Sequence, residues 1–83
     1  MLPGLFYMQI QVILFGQLAD IAGHTVIVND ISDTDSLVNS LHKSYPELAN
    51  AKYIIAVNRQ VINKNTGLTA DSVVALLPPF SGG

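Results

Sequence analysis

The strongest constraint on the fold is that only one stretch of the chain has the apolar spacing of a long helix, whereas strand-like stretches lie on both sides of it. In DISDTDSLVNSLHKSYPELAN, apolar residues recur at helical spacing from Leu37 to Tyr45. Thr34 is the expected N-cap, and Asp35 would place negative charge in the first turn. Pro46 cannot continue a regular helix. The sequence therefore predicts one long helix from about Thr34 to Tyr45.

Five other stretches have the alternation or the β-branched composition of strands. They are Met8–Phe15 and Thr25–Asn29 before the helix, and Tyr53–Asn58, Val61–Asn63 and Ser72–Pro78 after it. A turn with one short helical segment over Gln17–Ile21 links the first two. The first and last strands are the most continuously apolar, which is typical of central and often parallel strands. We therefore predict an α+β fold, a mixed sheet with one main helix across one face, which is the β-grasp arrangement.

The length and composition add an exposed apolar surface to this prediction. A chain of 83 residues predicts a single domain over residues 1–83. Charged residues make up 12% of it, about half the usual share of ~25%. Since no second helix is available to cover the other sheet face, we expect some of Ile13, Phe15 and Leu77 to be exposed there. Such a surface is typical of a protein that binds a partner.

Several classes of function are disfavoured. The chain has no cysteine, which excludes disulfides, thiolate metal sites and a cysteine nucleophile. The four basic residues are scattered and the net charge is −2, so nucleic acid is not an expected partner. His24, His42 and the aspartates around the helix start are interpreted as structural, and no metal site is predicted.

The amino-terminal stretch gives no targeting signal. MLPGLFY lacks the positive region of a signal peptide, and no run reaches the ~20 apolar residues of a membrane span. The predicted location is the cytoplasm, without membrane association. Met1 and Met8 are both candidate starts, and with Met1 the residues 1–7 would be a short leader.

The sequence ends in PPFSGG, directly after the last predicted strand. Pro78 and Pro79 have no N–H to continue a sheet ladder and favour a stiff, extended conformation. We therefore expect residues 79–83 to form a tail that projects from the sheet. At ~3.3–3.6 Å per residue, this tail spans about 17 Å. Phe80 would anchor it in an apolar groove of a partner.

The remaining tail residues, Ser81, Gly82 and Gly83, are small enough to enter a narrow channel. The chemistry available there is that of the terminal carboxylate. ATP can convert a carboxylate to an acyl-adenylate, from which a sulfur donor would produce a thiocarboxylate and a lysine amine would produce a covalent tag. This chain has no obvious catalytic groups of its own, so a partner enzyme would use the ATP. No cofactor is expected to bind this chain tightly.

Three stretches are similar to the small subunit of molybdopterin synthase, a ubiquitin-like sulfur carrier. They are VILFGQLAD (Val12–Asp20), IAVNRQVI (Ile55–Ile62) and LTADSVVALLPPFSGG (Leu68–Gly83). The last is the most specific, because it contains the family's Pro-Pro-x-x-Gly-Gly ending. The resemblance covers most of the chain from Met8 onward.

This resemblance implies a β-grasp fold and a thiocarboxylate on Gly83, formed after adenylation by an E1-like adenylyltransferase. The large synthase subunit, in a heterotetramer, would contain the active site and would receive Gly82 and Gly83 in a channel. Phe15, Leu77 and the segment Pro78–Phe80 would contact the partner. The small subunit would donate sulfur, without catalysing the reaction, to a pyranopterin precursor in molybdenum cofactor biosynthesis.

Two stretches depart from the family pattern, and three alternatives stay open. Ala19 stands where the family often has a basic residue, and Leu76 and Leu77 stand where it is often aromatic. The alternatives are a sulfur carrier for thiamine thiazole or tRNA thiolation, a ubiquitin-like modifier joined to lysines, and a β-grasp interaction module with an inert tail. The two prolines before the tail favour the molybdopterin carrier over its sister carriers.

Overall fold

A computed structural model describes residues 9–79 and confirms the predicted order of elements. The strands are β1 (Gln9–Leu14), β2 (Thr25–Asn29), β3 (Ile54–Val57), β4 (Gln60–Ile62) and β5 (Val73–Leu77). The helices are α1 (Gln17–Ala22) and α2 (Thr34–Ser44), and a 3₁₀ turn covers Pro46–Asn50. The observed bounds of the strands lie within one residue of the predicted ones.

The five strands form one mixed sheet in the order β2-β1-β5-β3-β4. The two most apolar strands, β1 and β5, are parallel neighbours, with Leu14 opposite Leu76. The other pairs are antiparallel, and Ile55 on β3 lies opposite Leu76 from the other side. The prediction that the first and last strands lie centrally and in parallel is therefore confirmed, and the fold is a ubiquitin-like β-grasp.

The core lies between the sheet and the helices. Alternation along β1 turns Ile10, Val12 and Leu14 inward, where each is at most 1% exposed. Helix α2 contributes Leu37 and Leu41 from its predicted apolar face, and both are buried. Complete burial of one such side chain stabilises the fold by roughly 1.5–3 kcal/mol. The sheet is thereby fixed to α2 through one face, and its other face is left open.

The start of α2 differs from the prediction, because Asp33 and not Thr34 is the N-cap. The Asp33 side chain accepts the Ser36 N–H at 2.9 Å, and its backbone is extended. Thr34 is the first helical residue and is 2% exposed. Its hydroxyl oxygen accepts the Thr66 N–H at 2.9 Å, which ties the helix to the loop between β4 and β5. Aspartate and threonine can both cap a helix. Because the Thr34 hydroxyl is bonded to Thr66, the cap is formed by Asp33.

The other end of α2 follows the prediction. The helix ends at Ser44, with Tyr45 as its C-cap and Pro46 immediately after. Pro46 opens the 3₁₀ turn, which places Leu48 in the core with no measurable exposure. The proline therefore redirects the chain from α2 toward β3.

We predict that the Asp33 cap contributes to the acid sensitivity of the fold. Hydrogen bonds from Ser36, and then from Asn65, hold the pKa of Asp33 below its ordinary value of 3.8. A carboxyl whose pKa is lower in the folded chain stabilises it at higher pH, and this stabilisation is lost as pH falls below 3.8 toward the folded pKa. Asp33→Asn keeps an acceptor for Ser36 but does not titrate, so its unfolding midpoint should fall less on acidification than that of the wild type.

Thermal unfolding followed by circular dichroism at neutral pH and at stepwise lower pH measures this difference. Asp33→Ala removes the cap and should lower the midpoint already at neutral pH. If the unfolding midpoints of the wild type and Asp33→Asn fall equally as the pH is lowered, the acid sensitivity does not come from the Asp33 carboxyl.

Candidate partner-binding face and tail exit

The sheet face opposite α2 is apolar and accessible, and we call it the open face. Alternation along β1 and β5 places Ile13, Val73, Ala75 and Leu77 on this face. The predicted exposure of Phe15 is confirmed at 46%, whereas Ile13 and Leu77 are half-buried. Other large apolar side chains exposed on this face are Ile27, Val61 and Val73. Gln11 of β1 lies between Ile27 and Val73 on this face. Several exposed apolar side chains on one sheet face are typical of a protein-binding site.

A depression of about 420 Å³ lies within the open face. Its lining consists of Ile13, Phe15, Asn58, Arg59, Val73 and Ala75. Ala75 stands between Ile13 on β1 and Ala56 on β3 in the cross-strand register. Because Ala75 and Ala56 have small side chains, less of the space above the sheet is filled at this point. The depression is therefore large enough for an apolar side chain of another protein.

The hairpin between β3 and β4 forms one wall of the depression. Asn58 and Arg59 make its two-residue turn, with φ angles of 49° and 71°, as expected for a type I′ hairpin. The Asn58 N–H donates to the Val73 carbonyl at 2.9 Å, and the Asn58 side chain accepts the Val73 N–H at 3.0 Å. Asn58 is therefore a turn residue, and these two bonds fix the turn against β5.

The point where the chain leaves β5 lies beside the end of β1, and we call this point the tail exit. The Phe15 N–H donates to the Leu76 carbonyl at 3.0 Å. Gly16 has a φ of +58°, and a Cβ there would lie 2.8 Å from Cγ of Pro78. Glycine thus permits both the backbone conformation and the close approach of the proline. The sequence analysis missed this role of Gly16, for which a glycine directly after an apolar strand was the available signal.

The structure brings part of the predicted site together. Phe15, Leu77 and Pro78 lie at the tail exit, and Pro79 follows as an exposed residue. Residues 80–83, which include the predicted anchor Phe80 and the predicted channel residues, lie outside the described residues. Their roles therefore stay predictions.

Other residues singled out in the sequence have structural positions. Ala19, which replaces a residue that is often basic in the family, packs against the core. His42 on α2 is hydrogen-bonded to the Tyr53 hydroxyl at 2.8 Å, in agreement with its structural interpretation. Burial raises the pKa of Tyr53. These side chains lie away from the open face.

Two features are absent from residues 9–79. No group of three or more His, Cys, Asp or Glu side chains there is placed to hold a metal ion. None of the helices in that part of the chain combines the length and the apolar character needed to cross a membrane.

The β-grasp fold, together with an apolar open face next to the tail exit, defines a small ubiquitin-like protein. Comparison with known families gives the same result from sequence. The model of the ThiS family matches residues 12–83, and the chain belongs to this family. It is therefore a ubiquitin-like sulfur carrier, and the match includes the Gly-Gly segment.

Solved structures of similar proteins have the same fold. Small archaeal modifier protein 1 from Methanosarcina acetivorans has a TM-score of 0.77 at 21% identity, covering 93% of this chain and 98% of its own. The same-named protein from Haloferax volcanii has a TM-score of 0.75 at 24% identity, with coverage of 90% and 99%. A chain from the complex of subunits 1 and 2 of the Helicobacter pylori molybdopterin-converting factor has a TM-score of 0.69 at 29% identity, with coverage of 92% and 100%.

Proposed function

We propose that this chain is the sulfur carrier subunit of molybdopterin synthase. The observation that supports this most directly is its similarity, at 29% identity over 92% of its length, to a chain of the Helicobacter pylori molybdopterin-converting factor. The archaeal modifier proteins are less than 25% identical and support the fold alone. Attachment to lysine is the second candidate function, because an acyl-adenylate on the terminal carboxylate can react with a lysine amine as well as with a sulfur donor.

In this proposal, Gly83 is the reacting residue. Its carboxylate attacks the α-phosphate of ATP on an E1-like adenylyltransferase, which releases pyrophosphate and leaves an acyl-adenylate. A sulfur donor then displaces AMP, so that one oxygen of the carboxylate is replaced by sulfur. The chain itself binds no cofactor tightly in this scheme, and the need for ATP agrees with a cytoplasmic location.

The arrangement of the tail exit supports a division of roles between the face and the tail. Phe15, Leu77 and Pro78 would bind the large subunit, while Ser81, Gly82 and Gly83 enter its active-site channel. Because the exit lies beside Phe15, a partner bound to the open face would also be next to the start of the tail. The catalytic groups would belong to the large subunit, in a heterotetramer, and sulfur would pass to the pyranopterin precursor.

Reconstitution with purified components tests the destination of the sulfur. The carrier is charged by its adenylyltransferase, separated from ATP, and mixed with the large subunit and the cyclic pyranopterin precursor. We expect the dithiolene product to form with two thiocarboxylates consumed for each pterin, and uncharged carrier should give none. Sulfur transfer to a thiazole synthase or to tRNA instead, or isopeptide-linked conjugates in cells, would contradict the proposal in favour of an alternative.

A further inference from the structure

We propose that Arg59 determines the specificity of docking on the open face, by pairing with a carboxylate that borders an apolar patch on the large subunit. The existence of that partner rests on the proposed function. The assignment of Arg59 itself rests on three features of this chain, which are the backbone conformation of its turn, the composition of the depression, and the position of the depression relative to the tail exit.

The first feature is that arginine occupies a position where glycine is the favoured residue. The second residue of a type I′ turn needs a positive φ, and Arg59 has a φ of 71°. Asparagine tolerates this region because its short side chain can form local hydrogen bonds, and Asn58 does so with Val73. Among the side-chain hydrogen bonds within residues 9–79, none involves the long Arg59 side chain, so a local bond of this kind does not compensate there. Backbone strain of this kind is found at functional sites, where the side chain is needed for another reason.

The second feature is the contrast between Arg59 and its surroundings. Among the described side chains that line the depression, only Arg59 is charged, and Ile13, Phe15, Val73 and Ala75 supply apolar walls. Arg59 itself is exposed. A partner that covers the depression removes water from the guanidinium, so a partner carboxylate gains a strong charge-assisted hydrogen bond. A partner without a carboxylate leaves a desolvated charge unpaired, which is unfavourable.

The third feature is that the depression adjoins the tail exit. Phe15 lines the depression, and its N–H is bonded to Leu76 two residues before Pro78. A protein that fills the depression is therefore in position to receive the tail. This favours a tail-accepting protein as the occupant. The similar Helicobacter pylori chain was solved in a complex of two subunits, which favours the large subunit over the adenylyltransferase.

The experiment measures binding to the purified large subunit by titration calorimetry, with thermal unfolding of each variant. Arg59→Gly relieves the strained turn and removes the charge. We expect its unfolding midpoint to rise while its affinity falls roughly tenfold to a hundredfold, in the range for loss of a charge pair at an interface. Arg59→Gln should lose similar affinity without the gain in stability. Arg59→Glu should bind most weakly, because it repels the partner carboxylate.

Lys64→Gln is the matched control, because Lys64 is also exposed but does not line the depression. Its affinity should equal that of the wild type. Raising the salt concentration should weaken the wild type more than Arg59→Gln, because salt screens the charge pair.

The outcomes separate this proposal from the proposed function. If the wild type binds the large subunit and the Arg59 variants bind equally well, the role of Arg59 is wrong and the proposed function stands. If Arg59→Gly is less stable than the wild type, the argument from backbone strain is wrong. If the wild type does not bind the large subunit, both the proposed function and this docking are overturned.

Discussion

Deletion of Gly83 is expected to abolish formation of the thiocarboxylate. The deletion leaves Gly82 with the terminal carboxylate and shortens the tail by about 3.5 Å. Misplacement of a reacting group by about 1 Å can reduce a rate a hundredfold, so a carboxylate several ångströms short of the adenylylation site should not react measurably. Intact mass spectrometry after co-expression with the adenylyltransferase and a sulfur source measures the result. The wild type should gain the mass difference between sulfur and oxygen, and the deletion variant should not.

The fold should be unaffected by this deletion. Loss of the thiocarboxylate can therefore be attributed to the tail and not to unfolding. The last strand ends at Leu77, and the buried apolar residues among residues 9–79 lie between Ile10 and Leu76. Unfolding midpoints of the two proteins should therefore agree. A variant with one glycine added after Gly83 is a second control, because it displaces the carboxylate in the opposite direction and should also fail to charge. Normal thiocarboxylate formation in the deletion variant would contradict the assigned role of Gly83. A wild type that forms no thiocarboxylate would leave the interaction module with an inert tail as the better hypothesis.

Local patterns in the sequence were sufficient to predict the sheet and the main helix. The alternation of β1 and the apolar run of β5 identified the central strands, and the helical spacing from Leu37 to Tyr45 identified α2. These signals depend on burial within each element, so each can be recognised without knowledge of the rest of the fold. The open face followed from the lack of a second long helix.

Features that depend on contacts between distant segments could not be predicted in the same way. The N-cap was wrongly assigned to Thr34 because its true partner is Thr66, which is far away along the chain. The Gly16–Pro78 contact and the depression beside Arg59 likewise depend on the register of β1, β3 and β5. The four basic residues were described as scattered, and the position of Arg59 on the open face comes from the β3–β4 turn.

The two faces of β5 should respond differently to truncation. Leu76 has no measurable exposure and is flanked by Leu14 and Ile55 in the sheet. Leu76→Ala leaves a cavity in the core and should cost about 2–5 kcal/mol of unfolding free energy. Domains of this kind have roughly 0.05–0.15 kcal/mol of stability per residue, so the loss is a large share of the total. We expect a fall of at least about 10 °C in the unfolding midpoint.

Val73→Ala is the matched variant on the opposite face of the same strand. Val73 is 38% exposed and lines the depression, so its truncation should change stability by less than about 1 kcal/mol. It should nevertheless weaken binding to the large subunit, because the depression loses part of its apolar wall. The Val73 backbone bonds to Asn58 do not involve the side chain and should persist.

Temperature distinguishes the two effects in a sulfur-transfer assay. Leu76→Ala should recover activity on cooling, because the folded fraction increases, whereas Val73→Ala should remain weak at every temperature at which it is folded. Equal temperature dependence of the two variants would contradict the division of β5 into a core face and a partner face. The predicted difference follows from the mixed β-grasp sheet, in which one central strand stabilises the domain through one face and presents a binding surface through the other.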